Sequence, residues 1–318
     1  MPMPTAVSRL QIAKLVLTAA TLAMAPLAQA QNTQAQETPD EAANDGNAII
    51  VQGERVDSRD IRNTARDITV GSQAISQPLP RFQRPVCPGI WGLPAEIAQS
   101  IIDRIYDNAE AAGIEMNAEP ECDANVWLIF VDDPEQTFAQ LRDERSFMTR
   151  HLTRYQLREI EDQVGSARAW NLITSRNEDG QRVPTGFEYR SLAAQARASG
   201  LPGPSVQVRS PSRIQTGIRQ DLEMSVALIE RSALVELDTY AVADYATMRL
   251  LSYTRPPGNE DAVSTILTLF EPDMEAYSPH RLTEFDMAYL QALYRSNEFR
   301  PARMAIGSIS DLIREGAP

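Results

Sequence analysis

The sequence is poor in the side chains on which most chemistry at neutral pH relies. Its 318 residues hold two cysteines, two histidines and a single lysine, Lys14. With only His151 and His280, and no H-E-x-x-H, no two imidazoles sit one helical turn apart to grip zinc. A G-x-S-x-G elbow and a C-x-x-C pair are also missing. Gly200-Leu201-Pro202-Gly203-Pro204 lacks the lysine of a phosphate loop and reads as a connection between elements. These absences assign no metal and no cofactor, and they turn the reading away from an enzyme. Basic charge is scarce too. Asp and Glu number 43 against 30 Lys and Arg, a formal net charge of −13. Such a chain repels phosphate backbones, which excludes general nucleic-acid binding, and it offers no polybasic patch to an anionic membrane.

What is present begins with an address. Arg9 and Lys14 precede an apolar run from Leu15 to Leu27, and Ala28-Gln29-Ala30 has the A-x-A form of a leader cleavage site. The run is too short for the ~20 residues a membrane helix needs. A signal peptide over 1–30 predicts an exported, periplasmic or secreted protein that starts at Gln31 and has no membrane span after cleavage. Cleavage removes two positive charges and no acid, which takes the net charge from −13 to −15. All 29 basic residues other than Lys14 are arginine. Their scattering reads as genomic composition bias, against the alternative of a clustered surface for bidentate recognition of carboxylate or phosphate.

In an oxidising compartment the pair Cys87 and Cys122 predicts a disulfide. By loop-entropy arithmetic such a bridge contributes about 4 kcal/mol. Residues 31–79 read as a flexible acidic linker, polar from Gln31 to Asn47. The folded part is expected over 80–318 as a single α/β globular domain, with a possible sub-lobe boundary near residue 200. Pro94 opens a helix with apolar residues at helical spacing from Ala98 to Ala112, and Gly113 is its C-cap. Val126-Trp127-Leu128-Ile129-Phe130-Val131 is a continuous apolar run that predicts a buried strand. A disulfide from Cys87 to Cys122 would staple that helix to the sheet. Charged helices are expected over Pro134–Arg150 and Leu152–Val164, and strands over Ala167–Thr174, Val206–Arg209 and Met224–Ile229. A helix capped at Asp238 or Thr239 runs to Ser252, stopped by Pro256-Pro257-Gly258. Thr283 and Asp286 have capping-box spacing ahead of an amphipathic helix, and a last helix covers Pro301–Arg314. The fold class is α+β or α/β, a mixed sheet with packed helices behind a disordered tether.

Carboxylates remain as the available chemistry. Asp132 and Asp133 follow the apolar strand, at the kind of strand end where active residues gather in α/β proteins. Asp133-Pro134 reads equally as a helix start. His280 reads as a turn residue and His151 as a solvated one.

Two resemblances complete the reading. Ile49-Ile50-Val51 with Gln52 to Val56 resembles the Ton-box-like segment near the mature start of outer-membrane receptors; the alternative is a sticky disordered segment or a strand that adds to a sheet edge. Residues 224–295 resemble zincin-like metallopeptidase relatives among exported bacterial proteins. The resemblance rests on Met224–Ile229, Asp238–Ser252, Thr265–Phe270, and Leu282-Thr283-Glu284-Phe285-Asp286 leading into Leu290-Gln291-Ala292-Leu293-Tyr294. It implies a zincin-like C-terminal part. The family's metal-binding helix here reads Val242-Ala243-Asp244-Tyr245-Ala246-Thr247-Met248-Arg249, with Asp244 as its only acid and no histidine. The chain therefore looks like a degenerate, non-peptidase member, and it is similar to uncharacterised alphaproteobacterial exported proteins. The expected function is non-catalytic, binding or structural, with an envelope protein or peptide as partner. The alternatives are a hydrolase using Asp132, Asp133 and Asp244, and an accessory partner of outer-membrane transport.

Overall fold

The computed structural model describes residues 57–71, 76–119, 121–205, 207–208, 212, 214–259, 262–272, 274 and 277–316, all within one compact unit, Glu54–Pro318. The leader, the Ton-box-like segment and residues 31–56 of the expected linker lie outside the described residues.

The core is a five-stranded mixed sheet. Strand β5 (Arg219–Glu230) is its axis. Strand β4 (Ala167–Arg176) runs antiparallel along one edge of β5. The other edge is shared end to end by β1 (Arg81–Phe82), parallel at Asp221 and Leu222, and β3 (Val126–Val131), parallel from Ser225 to Glu230. Strand β2 (Pro88–Trp91) pairs parallel with β3. The expected apolar strands therefore form, and the expected mixed sheet with them.

The unbroken apolar runs of β3 and β5 have a single cause: helices cover both faces of the sheet. On one face Val126, Leu128, Phe130, Ala227 and Ile229 join the large core. That core is roofed by α1 (Ser58–Ile68), α2 (Ala95–Ala112), α6 (Thr239–Leu250), α7 (Glu284–Arg295), α8 (Ala302–Gly307) and α9 (Ile309–Gly316). On the other face Trp127, Ile129, Val226 and Leu228 meet a smaller core with Phe138, Met148, Ile160 and Trp170. Helices α3 (Pro134–Asp143) and α4 (Arg154–Glu161) supply Phe138 and Ile160 to it. Phe138 and Trp170 meet edge to face at 5.2 Å, and the indole Nε1 donates to the Met148 carbonyl at 2.9 Å, so the buried ring leaves no polar atom unpaired.

The structure departs from several expectations. The linker does not extend to residue 79: α1 buries Ile61, Thr64, Ala65 and Ile68 against the C-terminal helices. Its buried positions are spaced at i, i+3/4 and i+7, a stripe too narrow to stand out amid six charged or amide neighbours but enough to dock. Helix α3 stops at Asp143, because Arg145 adopts left-handed φ of 54°, a conformation that ends a helix. The last helix is two, broken after Gly307 where Ser308 turns its hydroxyl onto the Ala305 carbonyl. Helix α5 (Gly186–Ala198) was expected as no regular element, and it lies on the surface with no buried residue described. Of the strand expected over Val206–Arg209, residues 207–208 are described and lie in no strand.

Cys87 and Cys122 are joined by a disulfide, with Cα atoms 6.1 Å apart. The bridge does not pin α2 to the sheet as expected. It closes the β2–α2–β3 unit at the starts of its two parallel strands. Asn125 braces the same corner, accepting from Cys87 N at 2.8 Å and donating to the Pro85 carbonyl at 3.0 Å. The double substitution Cys87→Ala with Cys122→Ala is expected to lower the free energy of unfolding by about 2–4 kcal/mol in urea denaturation. An unchanged midpoint would show that the corner holds without the bond.

Candidate functional site

Helix α6 is where the zincin-like reading places its chemistry, so its surroundings come first. Asp238 caps it, accepting from Ala241 N at 2.8 Å, and its carboxyl is held below the usual range chiefly by the Arg281 guanidinium. Every side chain from Ala241 to Leu250 is buried. The sequence explains this: apolar residues occur all round the helix, with Ala241, Ala243 and Ala246 small enough for neighbours to approach closely. Three polar side chains are buried with it. Thr247 donates to the Ala243 carbonyl at 2.8 Å. Arg249 donates to the Ala169 carbonyl at 2.9 Å and to the Thr254 carbonyl, and burial lowers its pKa. Asp244, with no solvent exposure, receives Arg104 Nε at 2.7 Å and Nη2 at 3.1 Å, Asn108 Nδ2 at 2.8 Å, and Leu282 N at 3.0 Å. Both oxygens are thus occupied twice, and a carboxylate in that state has no lone pair directed at a substrate.

The other carboxylate candidates stand elsewhere. Asp132 is 88% exposed at the end of β3 and pairs with Arg231 at 3.0 Å. Asp133 is the N-cap of α3, accepting from Gln136 N at 2.9 Å with Pro134 in the first turn. Asp132, Asp133 and Asp244 are held by three separate sets of partners. His151 and His280 are exposed, and His151 Nε2 accepts from Arg150 Nε at 3.1 Å. Among the described residues no group of three His, Cys, Asp or Glu side chains has the geometry to hold a metal ion.

Two concave places stand out among the described residues. The first is an open groove of about 450 Å³ beside α2, lined by Glu96, Ser100, Asp103, Arg104, Asp107 and Tyr240. Positions 96, 100, 103 and 107 recur at helical spacing, which puts the acids on one outward face. Arg104 and Arg281 both lie 5.5 Å from the centre of the Tyr240 ring.

The second lies at the opening of β5 and has a volume of about 260 Å³. Arg219, Asp221 and Glu223 alternate along β5, so one face of the strand carries all three. Arg176 at the end of β4 and Arg84 just after β1 complete an alternating chain. Arg219 Nε meets Asp221 Oδ1 at 2.9 Å, and Arg176 Nε meets Asp221 Oδ2 at 3.2 Å. Arg176 Nη2 then meets Glu223 Oε1 at 2.6 Å, and Arg84 Nη2 meets Glu223 Oε2 at 3.5 Å. Burial raises the Asp221 carboxyl above its ordinary value even with both guanidinium groups beside it. None of these residues was singled out in the sequence. The available signal was the charged alternation Arg219-Gln220-Asp221-Leu222-Glu223 ahead of an apolar strand, and Arg84 and Arg176 reach it only through folding.

Comparison with family models, curated proteins and solved structures finds no match for this chain. Among the described residues, no helix is long and apolar enough to cross a membrane.

Arg104→Ala strands the Asp244 charge inside the protein with two neutral donors. It is expected to cost about 3–5 kcal/mol of unfolding free energy in urea denaturation. Asp132→Ala, at an exposed pair, is expected to cost less than about 1 kcal/mol. Equal losses in the two variants would contradict the structural role given to Asp244.

Proposed function

We propose that this chain is an exported protein of the cell envelope that acts by binding or structural interaction and performs no chemistry of its own. One observation carries the reading. The helix that a zincin-like resemblance would make catalytic, α6, is buried from Ala241 to Leu250, and Asp244 at its centre is saturated by Arg104, Asn108 and Leu282 N. A metallopeptidase needs that helix to border an open cleft with a free coordination position for water. Residues 224–295 are accordingly read as a zincin-like scaffold whose working helix has become core. The N-terminal leader pattern supports export, and the Cys87–Cys122 bond is of the kind that persists in oxidising compartments.

The test is a peptidase assay on chain purified from the periplasm, with a broad set of quenched peptides, added zinc, and a chelator control. No cleavage that depends on the metal is the expected result. Hydrolysis abolished by the chelator and restored by zinc would overturn the reading.

A further inference from the structure

The cavity at the opening of β5 has an imbalance that its own side chains do not settle. Three guanidinium groups, Arg84, Arg176 and Arg219, face two carboxylates, Asp221 and Glu223. Every carboxylate oxygen already has a guanidinium beside it. Asp221 Oδ1 takes Arg219 Nε, and Oδ2 takes Arg219 Nη2 at 3.3 Å and Arg176 Nε at 3.2 Å. Glu223 Oε1 takes Arg176 Nη2, while Arg84 Nη2 donates to the Glu223 carbonyl at 3.2 Å and lies 3.5 Å from Oε2 as an ion pair. The remaining nitrogen of Arg176, Nη1, donates to the Gly180 carbonyl at 3.0 Å. The surplus lies on the donor side, toward the two ends of the chain. Among the described residues, Arg84 Nε and Nη1 and Arg219 Nη1 have no acceptor. A guanidinium carries only donors, so what completes it must be an acceptor, and the net positive lining asks that acceptor to be an anion.

We propose that this cavity, lined by Arg84, Arg176 and Arg219, binds a small oxyanion, a carboxylate or a phosphate, through its unmatched guanidinium N–H groups. Two hydrogen bonds to Asp221 fix the Arg219 guanidinium plane, so its free donor is oriented before the ligand arrives. That preorganisation separates a built site from scattered surface arginines, whose ordering would have to be supplied on binding. The cavity of about 260 Å³ fits a molecule of a few heavy atoms, not a polymer. Arg84 is the accessible end, with 64% of its side chain exposed, and Arg219 the sheltered one at 19%. An anion therefore enters past Arg84 and is seated against Arg219. The inference rests on the binding reading above for its biological sense, while its chemistry stands on this cavity alone.

The experiment titrates the chain purified from the periplasm with inorganic phosphate, with succinate, and with magnesium chloride, all at constant ionic strength. It follows heat and the backbone amide resonances of Gly180, Leu222 and Glu223. Saturable binding of phosphate, of succinate or of both is expected, and which of them binds identifies the source of the oxyanion. Arg84→Gln, a surface change that leaves the fold intact, is expected to weaken binding about tenfold or more, the loss of one charge-assisted contact. Arg154→Gln at the remote start of α4 is expected to leave it unchanged. The inference is overturned if neither anion saturates, if Arg84→Gln binds as the parent does, or if magnesium rather than an anion shifts these amides. Failure of anion binding leaves the packed α6 and the peptidase result untouched, so the two readings fail separately.

Discussion

The structure depends on the burial of one helix that is not wholly apolar. Helix α6 carries Asp244, Thr247 and Arg249 into a place without water, and each of these would be costly there without partners. The neighbouring elements are arranged to supply them. Helix α2 sends in Arg104 and Asn108 from successive turns, so a single helix face answers a single carboxylate. The segment before α7 adds the Leu282 amide, which brings the start of α7 against the same point. Arg249 reaches across to the carbonyl of Ala169 and so fastens the helical layer to β4. The polar groups of α6 therefore act as orientation marks: an apolar helix of the same shape would pack in several rotations, whereas this one satisfies its charges in one.

The same logic recurs at the margins of the large core. Arg81 on β1 donates from one nitrogen to the carbonyls of Leu293, Tyr294 and Ser296, closing the C-terminal end of α7 where helix carbonyls have no partner of their own. Tyr294 returns the connection, donating to the Leu251 carbonyl at 2.6 Å at the end of α6. Asp286 sits at the other end of α7, almost wholly buried. It takes hydrogen bonds from Thr265, Ile266 N and Thr283, and desolvation raises its pKa. Tyr289 meets Thr69 beyond α1 at 2.8 Å, and its burial pushes the phenol up to about 12, so it stays a hydrogen-bonding hydroxyl at any physiological pH. The role of α1 follows from that contact: the segment ahead of the sheet is tied to the C-terminal helices and closes the core.

The functional meaning lies in the contrast between the two ends of the sheet's central strand. Beyond the C-terminal end of β5, where α/β proteins commonly place ligands, the following helix is sealed into the core. The N-terminal end, by contrast, keeps an open cavity with arginines in excess. A protein of this composition, acidic overall and almost without lysine or histidine, has few ways to hold a small anion. Guanidinium groups steadied by carboxylates are one of them, because the pairing fixes their planes without using all of their donors.

Much of the architecture was legible in the chain itself. The apolar runs at Val126–Val131 and Met224–Ile229, the caps at Asp133, Asp238 and Thr283, the C-cap at Gly113 and the pairing of two cysteines are local or compositional signals, and each is found in the structure. Other features needed the tertiary fold. The short strands β1 and β2 carry too few residues for a pattern and exist because β5 and β3 offer them an edge. The burial of Asp244 was invisible because a lone acid on a helix looks the same whether it faces water or Arg104, 140 positions earlier in the chain. Arg84, Arg176 and Arg219 are likewise scattered in sequence and adjacent in space. Local periodicity determines which segments become helix or strand; which charges meet is decided only when the sheet brings distant strand ends together.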